Sequence, residues 1–166
     1  MKPALKNLAH ALIVLAAGFT ALPVFAASVG EELPTITLKD QSGTQQTLSD
    51  STQRIYANAD RKGDALMKEA MADLGQAQLD AQKAVVIADI SAAPFFVKSI
   101  IRSSLKDRRY LTWLDTSGST KRVLPYRDNH VTVIEIEQRR IKAIRYIADA
   151  GALKREITPV AAVPQP

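Results

Sequence analysis

Two short stretches of the chain combine residue types that could do chemistry. The first, Asp60-Arg61-Lys62-Gly63-Asp64, puts two carboxylates, two cations and a glycine at the head of an amphipathic helix pattern. A helix start gathers unpaired backbone N–H groups and the positive end of the helix dipole, so it stabilises an anion. Arg61 and Lys62 would add side-chain charge to such a site, whereas Asp60 and Asp64 would compete with an incoming anion. The plainer reading makes Asp60 or Asp64 the helix cap and leaves Arg61 and Lys62 as solvated turn residues. The second stretch is Asp128-Asn129-His130. An imidazole beside a carboxylate can move protons near neutral pH. A serine hydrolase would also need a nucleophilic serine on a tight strand-to-helix turn, and the chain has no Gly-x-Ser-x-Gly sequence. A lone loop histidine equally serves as a hydrogen-bonding surface residue.

What the chain lacks narrows the chemistry. It has no cysteine, which excludes disulfides, thiol catalysis, thiolate metal sites and a lipidated N-terminal cysteine. Its two histidines are His10 and His130, so a zinc or copper site built from several His or Cys ligands is not available. No cofactor is expected. Lys2 and Lys6, the apolar run Leu8 to Leu22 and the small residues around Ala26 follow the plan of a secretory signal peptide. The run is shorter than the roughly 20 residues a spanning helix needs. Cleavage after Ala26 and a periplasmic location are expected, with a retained membrane anchor as the alternative. Without residues 1–26 the chain keeps 20 basic and 17 acidic residues, so its net charge falls from +5 to +3. That is a mixed surface and not a nucleic-acid footprint. The expected partner is a periplasmic protein or a small anion, with no nucleic acid and, after signal cleavage, no membrane.

The elements that must position these residues follow from periodicity. Thr35–Leu38 alternates as a half-buried strand does, turns at Asp40-Gln41-Ser42-Gly43 and returns along Gln45–Leu48. Arg54–Ala59 is a strand that feeds the first stretch. Leu66/Met67, Ala70/Met71 and Leu74 then share one helix face, in a helix that Gly75 weakens near its end. Lys83–Ile90 is a β-branched run suited to burial on both faces. Ser91-Ala92-Ala93-Pro94 starts a second helix, with Phe96/Val97, Ile100/Ile101 and Leu105 as its buried face and Phe95 partly exposed. Lys98, Arg102 and Lys106 lie off that face. Lys106-Asp107-Arg108-Arg109 is a charged stop, Tyr110–Leu114 a strand, Asp115-Thr116-Ser117-Gly118 a turn, and Ser119–Leu124 one helical turn or irregular. Val131–Glu137 and Ile141–Ile147 make a hairpin about Gln138-Arg139-Arg140, although its turn lacks Asn-Gly. Ala148–Ile157 is a terminal helix and residues 158–166 a disordered tail. Tyr110, Trp113 and Tyr126 are assigned to packing, and Arg108-Arg109 and Arg139-Arg140 to solvent, with a basic patch for an acidic partner as the alternative for the arginines.

Strands alternating with helices imply parallel pairing, and a closing hairpin adds an antiparallel edge. Within that order, VGEELPTITLKDQSGTQQTLSD resembles the N-terminal hairpin of peroxiredoxins and of membrane-anchored thioredoxin-like reductases. YLTWLDTSGSTKRVL resembles the strand and turn that such proteins insert before their last hairpin, and HVTVIEIEQRRIKAIRY resembles the hairpin itself. A cysteine-free exported chain of this size is most similar to the YtfJ-like family of small periplasmic bacterial proteins. The resemblance implies an α/β, thioredoxin-like fold over residues 27–157: a mixed sheet flanked by helices, with an N-terminal β-hairpin. It also implies that redox cysteines would sit where Asp60 to Asp64 stand, and a cis-proline where Asp128-Asn129-His130-Val131 stands. This chain has neither. In that geometry Asp60, Arg61, Lys62, Gly63, Asn129 and His130 would share one small polar cleft. The expected function is non-catalytic binding in the periplasm. The alternative is a non-thiol enzyme using Asp60, Arg61 and His130 for acid–base chemistry.

Overall fold

The computed structural model describes residues 27–158, so the expected signal segment and the tail beyond Thr158 lie outside the described residues. In chain order the elements are β1 (Thr37–Asp40), β2 (Gln45–Thr47), β3 (Arg54–Asn58), α1 (Arg61–Ala70), α2 (Gln76–Ala81) and β4 (Ala84–Asp89). They continue with α3 (Phe95–Leu105), β5 (Thr112–Asp115), β6 (Val131–Glu137), β7 (Arg140–Ile147) and α4 (Ala150–Ile157). All strands join one sheet in the order β2-β1-β5-β4-β3-β6-β7. β3–β4 and β4–β5 pair parallel, and the remaining neighbours pair antiparallel. The α/β class, the mixed sheet with flanking helices and the N-terminal hairpin are therefore as expected.

The helices gather on one face. Both parallel crossovers step the same way along the sheet, so right-handed connections put α1, α2 and α3 on the same side. There Tyr56, Val86, Val131 and Val133 pack against Met67, Leu79, Leu153 and Ile157, and Ala88 and Leu114 against Leu105 and Ile101. The alternate residues Ile55, Ala57, Ile87, Trp113 and Ile134 face the other way. That second face is closed by Ala27, Leu33 and Ile36 before β1 and by Val123, Leu124 and Tyr126 after the 3-10 turn Thr120–Arg122.

Irregular chain covering a sheet needs partners for its backbone polar groups. Asp115, fully buried, provides three and binds three hydroxyls besides: its carboxylate accepts the N–H groups of Ser117, Gly118 and Thr120 and the hydroxyls of Ser117, Ser119 and Thr120. Burial pushes its pKa up, but these bonds, led by Thr120, outweigh burial and hold it at about 2. Arg139 donates to Leu33 O at 2.7 and 3.2 Å, and Arg140 to Gly30 O at 2.6 Å. Both arginines thus fasten the N-terminal segment; Arg139 is half-buried, which corrects its placement in solvent, and Arg140 is exposed, as expected. Arg140 also belongs to β7, so the hairpin turns on Gln138 and Arg139 alone, both left-handed at φ 47° and 65°. Two left-handed residues make the tight turn that Asn-Gly usually supplies.

Three other expectations change. The first helix stops at Ala70, and Gly75 is the cap of α2, not a weak point inside a longer helix. Its N–H is taken by the Gln78 side chain at 2.9 Å. On α3, Phe96 and Ile100 are 68 % and 64 % exposed and Phe95 86 %. The helix rests on the narrower stripe Val97, Ile101 and Leu105 because only the ends of β4 and β5 lie beneath it. Arg108 is 10 % exposed and bonds Asp64 at 2.7 Å. Tyr110 and Trp113 are buried, as assigned.

The Asp115 pKa lies below the ordinary carboxylate value of 3.8, so its stabilisation is complete above that value and is lost as pH falls towards 2. Denaturant titrations should show wild-type stability falling between pH 4 and pH 2. Asp115→Asn should cost roughly 2 kcal/mol at neutral pH and lack that component of the acid dependence.

Candidate functional site

The chain passes from the end of β3 into α1 through Asp60, whose extended backbone (φ −146°, ψ 171°) makes it the N-cap. Asp60 Oδ1 accepts the Gly63 N–H at 2.8 Å, and Oδ2 accepts the Asn129 N–H at 2.6 Å. One carboxylate thus ties the start of α1 to the loop before β6. Gly63 seals the same junction: a methyl group there would lie 2.7 Å from His130 O and 2.9 Å from Asn58 Cβ. Asp60, Gly63, Asn129 and the His130 backbone are therefore brought together.

The side chains that would carry charge or protons do not converge with them. Arg61 and Lys62 are exposed in the first helical turn. His130 Nδ1 lies 2.7 Å from Asp128 O, and the ring sits edge-on to Tyr146 at 6.5 Å. The imidazole is thus oriented by its own loop and by an aromatic neighbour. Asp64 is held by Arg108, which also bonds the Tyr110 hydroxyl at 3.0 Å. Burial of Arg108 works against its charge, and the hydrogen bonds and charge of Asp64 and Tyr110 together more than restore it. Burial pushes Tyr110 up to about 12, so its phenol stays neutral.

Beside this junction α1 and α3 diverge, leaving a cleft of about 420 Å³ at the carboxyl ends of β3 and β4. Ala65, Ile90, Ala93, Ile101 and Leu105 supply apolar walls, with Asn58, Asp60, Arg61 and Lys68 among the polar ones. Asn58 is a site residue that residue pattern does not single out. Its one signal is a polar side chain closing a strand after the run Ile55-Tyr56-Ala57. Two larger depressions, of about 700 and 690 Å³, open around Arg54 and Arg145. At their walls Arg54 pairs with Glu135, and Arg145 with Glu135 and Glu156. Among the described residues no cluster of three Asp, Glu or His side chains could hold a metal ion, and no helix is long and apolar enough to cross a membrane.

This arrangement is a thioredoxin-like fold. The chain is similar to a putative protein disulfide isomerase from Bacteroides thetaiotaomicron, with a TM-score of 0.53 at 16 % identity over 79 % of this chain and 88 % of that one. It is similar to a putative thiol:disulfide interchange protein DsbE from Chlorobium tepidum, with a TM-score of 0.52 at 19 % identity over 80 % and 97 % of the two chains. A third likeness is to peroxidoxin BcpB from Mycobacterium tuberculosis, at a TM-score of 0.50 and 14 % identity over 81 % and 98 %. At these identities the likeness establishes the fold alone. No family model matches the chain, and no curated protein matches its sequence.

The junction makes a stability prediction. Gly63→Ala should cost about 1–3 kcal/mol in urea denaturation, because the added methyl meets backbone on one side and the sheet on the other. Asp60→Ala should cost about as much, since it strips both the helix cap and the bond to Asn129. Asp60→Asn, which keeps one acceptor, should fall between Asp60→Ala and wild type.

Proposed function

We propose that this chain is an exported, non-catalytic protein that acts by binding in the periplasm, and that it is related to the YtfJ-like family it resembles. One observation carries the reading. At the position where the resemblance would put reactive cysteines stands Asp60, and each of its oxygens already accepts a backbone N–H. A thiolate nucleophile is absent, and the carboxylate in its place is committed to structure. An acid–base enzyme would need Asp60 and His130 to meet one substrate, whereas His130 is turned to Asp128 O. Exposed apolar side chains grouped on one element are a mark of interaction surfaces, and α3 presents Phe95, Phe96 and Ile100 together. Arg61 and Lys62, exposed beside the junction, offer charge to an acidic group on a protein partner or to a small anion.

The purified protein should neither reduce insulin disulfides nor consume hydrogen peroxide above the buffer rate. Thiol-independent turnover of peroxide would overturn the reading. The small-anion part is checked by titrating phosphate into wild type and Lys62→Ala while following the Arg61 and Lys62 amide resonances. A saturable shift that weakens in the variant is expected, and identical featureless titrations would remove the small anion and leave the protein partner.

A further inference from the structure

β7 is an outer strand of the sheet, and part of its free edge is open. The N-terminal segment covers the beginning of that edge: the Gly30 N–H donates to Ile141 O and the Ile141 N–H to Glu31 O, both at 2.9 Å. Beyond Ile141 the direction of the backbone groups follows from the register. The Ile136 N–H donates to Gln53 O, so the alternate β6 residues Glu135, Val133 and Val131 turn their bonds to β7. They pair with Ala143, Arg145 and Ile147. Ile144 and Tyr146 fall between those bonded pairs and aim their N–H and C=O groups off the sheet, where no further strand lies among the described residues. A row of unpaired groups at a sheet edge is a template for another strand.

Charge decides what strand would fit. The depression of about 690 Å³ wraps this edge, with Ile144, Arg145, Tyr146 and Ile147 lining it from both faces of β7. Arg54, Arg127, Arg145 and Arg155 border it, against the single carboxylate of Glu156. Glu156 is paired with Arg145 at 2.8 Å, and Arg54 and Arg145 share Glu135. Arg127 and Arg155 are exposed and form no ion pair among the described residues. They stand on opposite faces. The Arg127 guanidinium lies 4.1 Å from the centre of the Tyr146 ring, and Arg155 belongs to α4, on the face that carries the helices. Stacking on an aromatic ring leaves the in-plane N–H groups of a guanidinium free to donate. A second copy paired edge to edge about Arg145 would set these arginines against their own counterparts, and like charges across a strand pair destabilise it. Residues 1–26 and 159–166 contain no acid, so neither stretch supplies the complementary charge.

We propose that the open edge of β7 takes up an extended acidic segment of a partner protein as an added strand. Ile144 and Tyr146 exchange backbone hydrogen bonds with it, a mode of recognition in which main-chain bonds give affinity and side chains give specificity. Adjacent residues of an extended segment point to opposite faces, so of two successive acidic residues one meets Arg127 and the other Arg155. This adds a surface to the binding reading above, and it does not depend on Arg61 or Lys62.

The probe is a capped hexapeptide, threonine-valine-glutamate-glutamate-valine-threonine, with its double-glutamine version as the uncharged counterpart. The acidic peptide should produce saturable shifts of the Ile144 and Tyr146 amides and slow their hydrogen exchange. The glutamine peptide should bind roughly fivefold more weakly or worse. Arg127→Glu and Arg155→Glu, both at exposed positions, should each weaken the acidic peptide by roughly fivefold or more and spare the glutamine peptide. Lys39→Glu, the same charge reversal on an exposed residue of β1, should change neither. Absent shifts at Ile144 and Tyr146, equal binding of the two peptides, unchanged affinity in the arginine variants or an equal loss in Lys39→Glu would each overturn the proposal. So would Ile144 and Tyr146 amides that shift with protein concentration alone, since the edge is then a contact between copies of this chain. The two levels fail separately. Absent peptide binding alongside an intact phosphate response overturns the edge site and leaves the binding reading, whereas peroxide turnover overturns the binding reading itself.

Discussion

The sheet is buried on both faces but has helices on one, and much of the remaining structure answers that constraint. Central strands such as β3, with Ile55 and Ala57 on one side and Tyr56 on the other, cannot leave either face in water. A helix covering the second face would satisfy its own backbone, whereas irregular chain must find partners outside itself. Side chains supply them here. Asp115 organises the turn after β5. Gln41 extends the pairing of β1 with β5 by donating to Tyr110 O at 2.9 Å and accepting from Thr112 N at 2.7 Å. Arg139 and Arg140 hold the N-terminal segment against β7, and the Leu33 N–H returns a bond to Arg139 O at 2.8 Å. The hairpin turn that places Arg139 uses two left-handed non-glycine residues, a costly backbone that these reciprocal bonds offset.

The same constraint sorts the polar residues that end the three parallel strands. Asp115 and Asp89 are neighbours in register and face the irregular cover, so both are drawn into building it. Asp115 is fully paired. Asp89 accepts the Ser91 N–H at 2.7 Å and keeps Lys121 near its second oxygen. Asn58 falls on the opposite face, between the sheet and the start of α1, where regular helix leaves no loop to organise. In open α/β sheets ligands collect outside the carboxyl ends of the strands. Of the three end residues, Asn58 and Asp89 both border the cleft between α1 and α3.

Legibility in the residue pattern followed the range of the interactions. The hairpin strand Val131–Glu137 was readable to the residue, because alternation and β-branching are local signals. So was the buried stripe Leu66, Met67 and Ala70 of α1, and so was Asp60 as one of two candidate caps. α3 misled because Phe96 and Ile100 fit helical periodicity as well as Val97 and Ile101 do. Which pair is buried depends on how much sheet lies underneath. Arg108 and Arg139 look like surface charges until partners 44 and 106 residues away are in place. The pairing of Asp60 with Asn129 spans 69 residues, so a fold resemblance could bring the two stretches together while saying nothing of the hydrogen bond. Asn58 was invisible for the same reason, since burial without a partner is a property of the assembled site.

At the start of α1 the electrostatics that would activate a thiol serve cohesion instead. A helix N-terminus stabilises negative charge, and with a cysteine there the result is a low-pKa, nucleophilic thiolate. With Asp60 there, the same field acts on a carboxylate whose two hydrogen bonds fasten α1 to the loop before β6. The consequence for ligands is physical. A free anion approaching these N–H groups competes with a carboxylate tethered to the same backbone, whose effective concentration is far higher. Arg61 and Lys62 are consequently better placed to meet an acidic group presented by a folded partner, which brings its own supporting contacts.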